Sequence, residues 1–414
     1  MLREQLPDLW DDTRPLESLI AAARPEVAAS LERALARRTL TFEDGVRLLR
    51  AQGQDLVALL RTADFVRAVD VGPVVTYIIN RNINFTNVCF VGCQFCAFAH
   101  HRNDAEAHSD DIAQVLDKVQ EAVDRGATEV CMQGGINPEM DAFHYRDLLQ
   151  AIKSRFPTIH THAFSPMEIM YGARRTGMNY PDYIRMLKDA GLDTIPGTAA
   201  EILDDEVREI LSHKKVDVRT WVEIITTAHR LGLPTTSTLM YGHVETPEHI
   251  VRHIELLRSI QQDTGGFTEF VPLRFIHTFT ALYRKGLVTP TPQGHIDLRL
   301  YAVSRLLLRG AIDNIQTSWV KLGTELAQLS LRTGCNDFGG TLMEEQISKS
   351  AGADAGEYLP AERIRTLIAA AGRIPQQRTT TYGRVSEDEA LGASHGTGRG
   401  SGCGALSTGP ELAS

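Results

Sequence analysis

Long hydrophobic runs are missing from this sequence of 414 residues. No stretch of about eighteen residues is uninterruptedly apolar, so a membrane-spanning helix is not supported. The segment from Met1 to Asp12 alternates leucine with charged residues and contains no basic region followed by an apolar core. We therefore expect no signal peptide, no membrane association and a cytoplasmic location.

Basic residues are outnumbered by acidic ones. The chain has 43 Lys and Arg against 52 Asp and Glu, which gives a formal net charge of −9. Nucleic acids and anionic membranes are bound by clustered positive charge, and an acidic surface opposes that binding. We therefore expect no nucleic-acid partner.

Cysteine is scarce as well, with six residues in the chain, too few for a disulfide scaffold of this size. Three of them, Cys89, Cys93 and Cys96, share one loop in the spacing C-x3-C-x2-C, which in a reducing compartment favours metal binding. Three such thiolates can bind three irons of a [4Fe–4S] cubane, and Gly92 relieves crowding at the tight turn. The remaining iron stays open and can chelate the amino and carboxylate groups of a methionine moiety.

Zinc and inert core thiols are the alternatives to an iron–sulfur cluster. Structural zinc takes four ligands, usually as two separated pairs, and the fourth ligand here would be His100 or His101. Inert core cysteines do not normally gather in one loop after a strand, so the spacing favours the cluster over both. Cys131 lies inside a predicted strand and is expected to be a small core residue. Like Cys335 and Cys403, it has no partner at ligand spacing and is assigned no role.

Strand-like and helix-like segments alternate from Val74 onward. The predicted strands are Val74–Ile79, Glu129–Met132, Ile159–Phe164, Asp193–Ile195, Thr235–Met240, Thr268–Pro272 and Asn314–Thr317. Helices are predicted at 110–125, 145–156, 180–190, 218–230, 246–262 and 298–309, the first with Ser109 as N-cap and the fifth with Thr246 before Pro247. This alternation predicts parallel strands with right-handed crossovers, and hence an α/β fold with a (β/α) TIM-type barrel.

The two ends of the chain differ from the middle. Residues 1–70 are predicted to form an N-terminal helical extension, in which Thr41 and Glu43 mark a helix start. Residues 71–350 form the predicted barrel, and residues 351–385 form a C-terminal segment packed on it. Residues 386–414 have almost no large apolar side chains to offset chain entropy, which predicts a disordered C-terminal tail.

Five short segments carry a resemblance to a known family: Gly92–Phe98, Met132–Pro138, His162–Glu168, Ile195–Glu201 and Asn336–Thr341. The cysteine motif alone resembles the radical S-adenosylmethionine superfamily. The five segments together resemble the tyrosine-using subunits of 7,8-didemethyl-8-hydroxy-5-deazariboflavin synthase, also called 5-amino-6-(D-ribitylamino)uracil–L-tyrosine 4-hydroxyphenyl transferases. The resemblance implies a barrel of the radical S-adenosylmethionine kind, with a [4Fe–4S] cluster and S-adenosyl-L-methionine as cofactors.

The resemblance also implies a reaction. Reductive cleavage of the sulfonium gives a 5'-deoxyadenosyl radical that takes a hydrogen from L-tyrosine, at its amine, and the Cα–Cβ bond then breaks. The 4-hydroxybenzyl group joins C5 of 5-amino-6-(D-ribitylamino)uracil, giving 5-amino-5-(4-hydroxybenzyl)-6-(D-ribitylimino)-5,6-dihydrouracil in deazaflavin coenzyme biosynthesis. A low-potential reductant is implied. A ring-closing radical S-adenosylmethionine subunit is expected as a separate chain, because one cysteine motif occurs here.

Five residues are candidates for cofactor binding. Gln133, Gly134 and Gly135 follow the second strand, where the superfamily places a Gly-rich turn against the methionine amino group; a plain strand-ending turn is the alternative. Phe95 is expected at the adenine site, although an aromatic residue suits the core nearly as well. Glu201 follows a strand end, where a carboxylate can hold ribose hydroxyls, with a helix cap or surface acid as the alternative.

Seven further residues are candidate substrate ligands: His160, His162, Glu168, Tyr241, His243, Arg274 and His277. The two histidines on the third strand share a face, although a hydrogen-bonded core histidine is commoner than a functional one. For Glu168, as for Glu201, a helix cap or a surface acid is the alternative. Arg274 could clamp the tyrosine carboxylate, and an ordinary salt bridge is the alternative.

Three other functions remain open at this point. A radical enzyme of the futalosine route to menaquinone shares the cysteine loop and the barrel. An Fe–S electron carrier would usually supply four ligands and shield its cluster. A radical enzyme that modifies RNA is expected to add a basic binding module, which the acidic balance opposes.

Overall fold

The computed structural model describes residues 13–385. The predicted disorder of 386–414 and the absence of a signal peptide at the N-terminus concern segments outside the described residues. Within the described chain no helix is both long enough and apolar enough to cross a bilayer.

Parallel strands surround one central cavity. The strands are β1 (Val74–Ile78), β2 (Asn80–Ile83), β3 (Glu129–Met132), β4 (His160–Ala163), β5 (Thr235–Tyr241), β6 (Phe267–Arg274), β7 (Asp337–Gly340) and β8 (Ile374–Gln377). They pair in parallel as β7–β1–β8, β2–β3–β4 and β5–β6. Single parallel bridges close the remaining gaps, joining β4 to Thr194, Ile195 to β5, β6 to Ile315 and Gln316 to β7. The pairing therefore runs in a ring, which confirms the predicted barrel.

The strand prediction differs from the structure in two ways. The segments around 194–195 and 315–316 occupy strand positions but make single bridges instead of ladders. In contrast β7, with the sequence Asp-Phe-Gly-Gly, was not predicted as a strand, because two glycines give it low strand propensity. Pairing of its Asp337 with Thr76 of β1 holds it in the sheet.

Helices cover the outside of the barrel and its N-terminal side. They are α1 (Leu16–Ala21), α2 (Pro25–Leu35), α3 (Phe42–Leu49), α4 (Gly53–Val71), α5 (Ile112–Asp124), α6 (His144–Arg155), α7 (Pro166–Thr176), α8 (Tyr180–Asp189), α9 (Asp205–Ser212), α10 (Val218–Arg230), α11 (Pro247–Thr264), α12 (Ala281–Arg284), α13 (His295–Leu307), α14 (Trp319–Ser330), α15 (Gln346–Ser350) and α16 (Ala361–Ala370). Sequence periodicity did not predict α7, α9, α12, α14, α15 or α16.

Helix caps test the local predictions. Thr246 caps α11 ahead of Pro247 as predicted, and Thr41 caps α3, although Asp44 completes the capping box and not Glu43. The prediction of Ser109 as a cap was wrong. Asp111 caps α5, its side chain accepting a hydrogen bond from the Gln114 amide at 2.8 Å. Ser109 is instead bridged to Thr86 in the segment leading to the cysteine loop.

The N-terminal helices share a hydrophobic core with the barrel. Leu59 and Val66 of α4 belong to the same buried cluster as Tyr301 and Leu306 of α13. Beside it, Arg309 donates hydrogen bonds of 2.6 and 2.9 Å to the Asp70 carboxylate at the end of α4. The boundaries predicted at residues 70, 350 and 385 stay predictions.

The C-terminal segment closes one end of the barrel. Strand β8 pairs with residues 74–77 of β1, and Arg378, which follows β8, lines the cavity inside the barrel. Its guanidinium donates to the Asp337 carboxylate at 2.5 Å and to the Glu269 carboxylate at 3.3 Å. Tyr382 donates to Glu269 from the same side. The buried network forms a polar floor opposite the cysteine loop.

Candidate active site

A cavity of about 410 Å³ runs through the barrel from the cysteine loop to the polar floor at Arg378. Cys89, Cys93 and Cys96 all line it, at the carboxyl ends of the strands. Functional residues of (β/α) barrels gather at this end, since the loops after the strands meet there. The cavity is therefore the candidate active site.

The cysteine loop follows β2 and is tied to the rest of the barrel by its backbone. The Cys89 amide donates to the His100 carbonyl at 3.1 Å, and the Gln94 amide donates to the Leu211 carbonyl at 2.8 Å. Gly92 has φ 72°, which confirms that a glycine serves the tight turn. These bonds hold the three thiols at the cavity mouth.

Burial favours the protonated form of two of these thiols, Cys93 and Cys96, in the absence of a cation. It raises the pKa of Cys93 to about 11, although Lys215 opposes the effect and the Ser212 hydroxyl donates to the sulfur at 2.9 Å. Burial likewise raises the pKa of Cys96. A thiolate here needs a neighbouring positive charge, and bound iron supplies it.

The arrangement of the thiols fits a cluster better than a single metal ion. Among residues 13–385 no three His, Cys, Asp or Glu side chains converge on one ion position. Zinc requires its ligand atoms at about 2.0–2.3 Å from one point, whereas each thiolate of a cubane binds a different iron. The donor set is three sulfurs facing one cavity, which suits a [4Fe–4S] cluster with one open iron.

The two glycines after β3 are required by packing. A Cβ on Gly135 would lie 2.3 Å from the Val88 carbonyl oxygen, and one on Gly134 would lie 2.6 Å from the Phe85 ring. The Gly135 amide donates to the Thr86 carbonyl at 2.7 Å. The turn therefore presses against the segment that enters the cysteine loop, and both glycines also line the cavity.

Glu168 links that turn to helix α7. Its carboxylate accepts hydrogen bonds from the Gly134 amide at 3.0 Å, the Ser165 amide at 2.6 Å and the Ser165 hydroxyl at 2.7 Å. It thus completes the capping box of α7 while lining the cavity. Burial outweighs these bonds and raises the pKa of Glu168 to about 7.

This raised pKa predicts a pH dependence of stability. Between the ordinary glutamate value of 4.5 and about 7, the unfolded chain loses the proton before the folded one does. Folding stability therefore falls across that interval, by about 3 kcal/mol for a shift of this size. We expect Glu168→Gln to remove this slope, measured by denaturant unfolding at pH 5 and pH 8. Glu32→Gln on the exposed surface of α2 is the control. An unchanged slope in Glu168→Gln would contradict the assignment.

Glu201 is paired with a lysine that sequence reasoning missed. Lys215 Nζ is 2.5 Å from Glu201 Oε1 and 5.0 Å from the centre of the Phe95 ring. All three side chains line the cavity, as does Gln133, whose Oε1 accepts from the Thr198 hydroxyl at 2.8 Å. No local signal in the sequence distinguishes Lys215 from its neighbour Lys214.

The two histidines of β4 share a hydrogen-bond partner, but only one of them lines the cavity. Both rings contact the Thr194 hydroxyl, His160 through Nε2 at 2.8 Å and His162 through Nδ1 at 2.7 Å. His162 lines the cavity, and burial lowers its pKa to about 4, so it is neutral at physiological pH. His160 is not part of the cavity wall.

Three other predicted substrate residues lie outside the cavity wall. Tyr241 is buried and donates to Asp297 Oδ1 at 2.7 Å, while the His243 ring contacts the Met240 carbonyl and Glu245. His277 packs on the ring of Tyr283, with 4.7 Å between ring centres. Their predicted contact with substrate has no support from this geometry.

Arg274 lines the cavity, but its guanidinium is already engaged. It donates to Asp297 Oδ1 at 2.6 Å and to the Thr291 carbonyl. The ion pair is buried, the side chain of Asp297 being fully inaccessible. This contact is an ordinary salt bridge, which was the alternative to a clamp on the tyrosine carboxylate.

Cys131 also departs from its expected surroundings. It was predicted as a small core residue, yet its side chain is half-buried and forms part of the cavity wall. Cys335 is buried outside the cavity.

Among the described residues, three of the seven non-glycine residues with positive φ lie in the cavity wall. Positive φ angles occur at Ala199, Glu201 and Leu342, with values of 61°, 41° and 60°, and all three residues line the cavity. Such conformations cost about 1–3 kcal/mol each and persist where the surrounding structure enforces them, often at functional sites.

Comparison with known proteins shows the family of this chain. Residues 83–257 match the radical SAM superfamily, and residues 264–390 match the CofH/MqnC C-terminal region. The chain belongs to the radical SAM superfamily. Within it, the chain is 49% identical over 348 residues to the 5-amino-6-(D-ribitylamino)uracil–L-tyrosine 4-hydroxyphenyl transferase of Methanothermobacter thermautotrophicus, with 84% of this chain and 95% of that protein covered. The family resemblance predicted from the motifs is confirmed.

Longer relatives show the same similarity over part of their length. The chain is 52% identical over 359 residues to the FO synthase of Streptomyces avermitilis, a match that covers 87% of this chain and 42% of that protein. The chain thus spans less than half the length of this relative.

Solved structures confirm the fold. Methylornithine synthase (PylB) aligns with a TM-score of 0.64 at 18% identity, covering 84% of this chain and 97% of that one. The hydrogenase maturase HydG from Carboxydothermus hydrogenoformans aligns with a TM-score of 0.69 at 13% identity, covering 92% and 86%. At these identities the likeness concerns the barrel alone.

Proposed function

We propose that this protein transfers the 4-hydroxybenzyl group of L-tyrosine to C5 of 5-amino-6-(D-ribitylamino)uracil. The observation that carries the proposal is the near-complete overlap with the Methanothermobacter transferase at 49% identity. The cavity supports it, because the three thiols open into a space of about 410 Å³. A space of this size suits an enzyme that binds an organic substrate, whereas an electron carrier has no need of it.

Cys89, Cys93 and Cys96 would hold the [4Fe–4S] cluster, which with S-adenosyl-L-methionine supplies a 5'-deoxyadenosyl radical when both are bound. The cavity is also lined by Gln133, Gly134, Gly135 and Glu168, and by the pair of Glu201 and Lys215. We assign the methionine amine to the glycine turn. Phe95 and Glu201 are assigned to the adenosine part, where Lys215 fixes the carboxylate and leaves its remaining lone pairs for hydroxyl groups.

The chain controls the reaction mainly by enclosure. The floor of Arg378, Glu269 and Asp337 closes the far end of the barrel, so substrates and water enter at the cysteine side. A primary carbon radical takes hydrogen from almost any C–H or N–H bond, and a closed interior limits it to the bound substrate. His162, which is neutral, and Glu129 also line the cavity. Both can bind a polar substrate in the half of the cavity near the floor.

Two substrate mixtures distinguish this function from that of a radical enzyme of the futalosine route to menaquinone. Anaerobically reconstituted, reduced protein is incubated with S-adenosylmethionine and either tyrosine plus ribitylaminouracil or the futalosine precursor of the menaquinone route. We expect 5-amino-5-(4-hydroxybenzyl)-6-(D-ribitylimino)-5,6-dihydrouracil from the first pair by mass spectrometry. Product from the second mixture alone would overturn the proposal. Unchanged cluster EPR on adding S-adenosylmethionine would favour an electron carrier.

The proposal implies further partners. A low-potential reductant must deliver the electron that starts each turnover, and a ring-closing radical S-adenosylmethionine subunit must take the product. We place the reaction in the cytoplasm, where thiols stay reduced and both partners meet the enzyme.

A further inference from the structure

Three polar residues that sequence analysis did not select meet on one side of the cavity. Asn82 lies in β2, Lys321 lies in the first turn of α14 after the strand position at 315–316, and Glu345 follows β7. These positions are neighbours around the barrel because β7 pairs with β1 on one side and with Gln316 on the other. All three side chains face the cavity near the cysteine end.

Lys321 has no ionic partner in the described chain. It takes part in no salt bridge within 4.0 Å, and its Nζ makes no hydrogen bond with residues 13–385. Burial lowers the pKa of Lys321, and Glu345 opposes that effect through space. Lys321 is half-buried, and an ammonium that faces the cavity without a partner is incompletely solvated, so an anionic group bound in the cavity would be stabilised beside it.

Asn82 and Glu345 supply an acceptor next to this donor. The Asn82 amide nitrogen donates to Glu345 Oε2, while Glu345 Oε1 accepts from the amide and the hydroxyl of Ser348 at 2.8 and 2.9 Å. Since a carboxylate only accepts, the bond fixes the orientation of the Asn82 amide. Its Oδ1 is buried with no hydrogen-bond partner.

We propose that Lys321 and Asn82 hold the α-amino-acid head of the substrate, Lys321 binding its carboxylate and Asn82 Oδ1 accepting from its amine. This inference rests on the proposed function and assigns the residues that select its amino-acid substrate. The Lys321 ammonium and Asn82 Oδ1 both lack partners in the described chain. Together they match a ligand that carries an anionic group and a hydrogen-bond donor on one carbon. The ribitylaminouracil carries no such pair.

The contacts also fix how tyrosine lies. With its head at the cysteine end, the amine is near the loop that carries the thiols, and the phenol points away from it down the barrel. Glu345 keeps Asn82 turned toward the amine and is thus a positioning residue.

Equilibrium binding tests the inference without turnover. L-Tyrosine and tyramine, which keeps the ring and the amine but lacks the carboxylate, are titrated into the cluster-loaded protein with S-adenosylmethionine present and reductant absent. We expect Lys321→Met to weaken tyrosine binding about 10- to 100-fold, the usual effect of losing a charged hydrogen bond, and to leave tyramine binding unchanged. Lys321→Arg should keep most of the tyrosine affinity. Lys188→Met on exposed α8 is the matched control.

Each outcome decides the matter. Equal weakening of tyrosine and tyramine would mean that Lys321 only shapes the cavity, and unchanged tyrosine binding would mean that it does not bind the carboxylate. A loss of S-adenosylmethionine binding in Lys321→Met would place the lysine in the cofactor site; each of these results overturns the inference. Product assays are separate: wild-type protein that binds tyrosine through Lys321 but forms no uracil adduct would contradict the proposed function alone.

Discussion

Cys93→Ala is expected to abolish the formation of 5'-deoxyadenosine, lowering its rate by at least about 1,000-fold, or ~4 kcal/mol of transition-state stabilisation. The reason is structural: the three thiols at the cavity mouth are the sulfur donors that face it from the loop, and two of them cannot hold the cubane in place. The measurements are iron and sulfide content after anaerobic reconstitution, and deoxyadenosine by chromatography.

Cys335→Ala is the matched control for this experiment. Cys335 is a buried thiol outside the cavity, and its loss should leave iron content and deoxyadenosine formation near those of the wild type. Full deoxyadenosine production by Cys93→Ala, or zinc in place of iron and sulfide in the wild-type protein, would refute the cluster assignment.

Gly135→Ala is expected to lower activity about 100-fold, because a displacement of about 1 Å at a reacting centre has effects of that order. The new methyl group would meet the Val88 carbonyl oxygen at 2.3 Å and the Cys89 Cβ at 3.0 Å. Both atoms belong to the entry of the cysteine loop, so the loop and not a flexible side chain must move. Steady-state product formation and the S-adenosylmethionine-induced change in the EPR spectrum measure the effect.

Gly383→Ala provides a comparison with little backbone conflict. Its added Cβ would lie 3.0 Å from the Thr379 hydroxyl oxygen at the exposed C-terminal end of the described chain. We expect activity near that of the wild type. Equal activity of Gly135→Ala and Gly383→Ala would show that the contact between the glycine turn and the cysteine loop has no functional weight.

The cavity wall contains three sets of polar residues. The glycine turn with Glu168, together with the pair of Glu201 and Lys215, borders the cysteine loop. Lys321 and Asn82 offer an unmatched donor and acceptor from α14 and β2. The Arg378 network closes the opposite end. Two substrates and a cofactor can therefore be told apart by position within one barrel.

Local features of the sequence were sufficient where a short segment determines its own structure. The spacing of Cys89, Cys93 and Cys96, the turn at Gly92 and the cap at Thr246 each involve neighbouring residues, and the structure has them as predicted. The alternation of strands and helices predicted the barrel for the same reason. Strand β7 was missed because pairing with β1, and not its own propensity, keeps it extended.

The sequence by itself determined the cysteine loop and the class of fold, because both follow from periodicity and spacing within short windows. Only the tertiary structure decided which distant side chains share the cavity. Closure of the barrel brings Asn82 beside Lys321 and Glu345, which are far from it in the sequence, and it pairs Arg274 with Asp297. Contacts of this kind depend on strand order around a ring, which no local pattern of residues encodes.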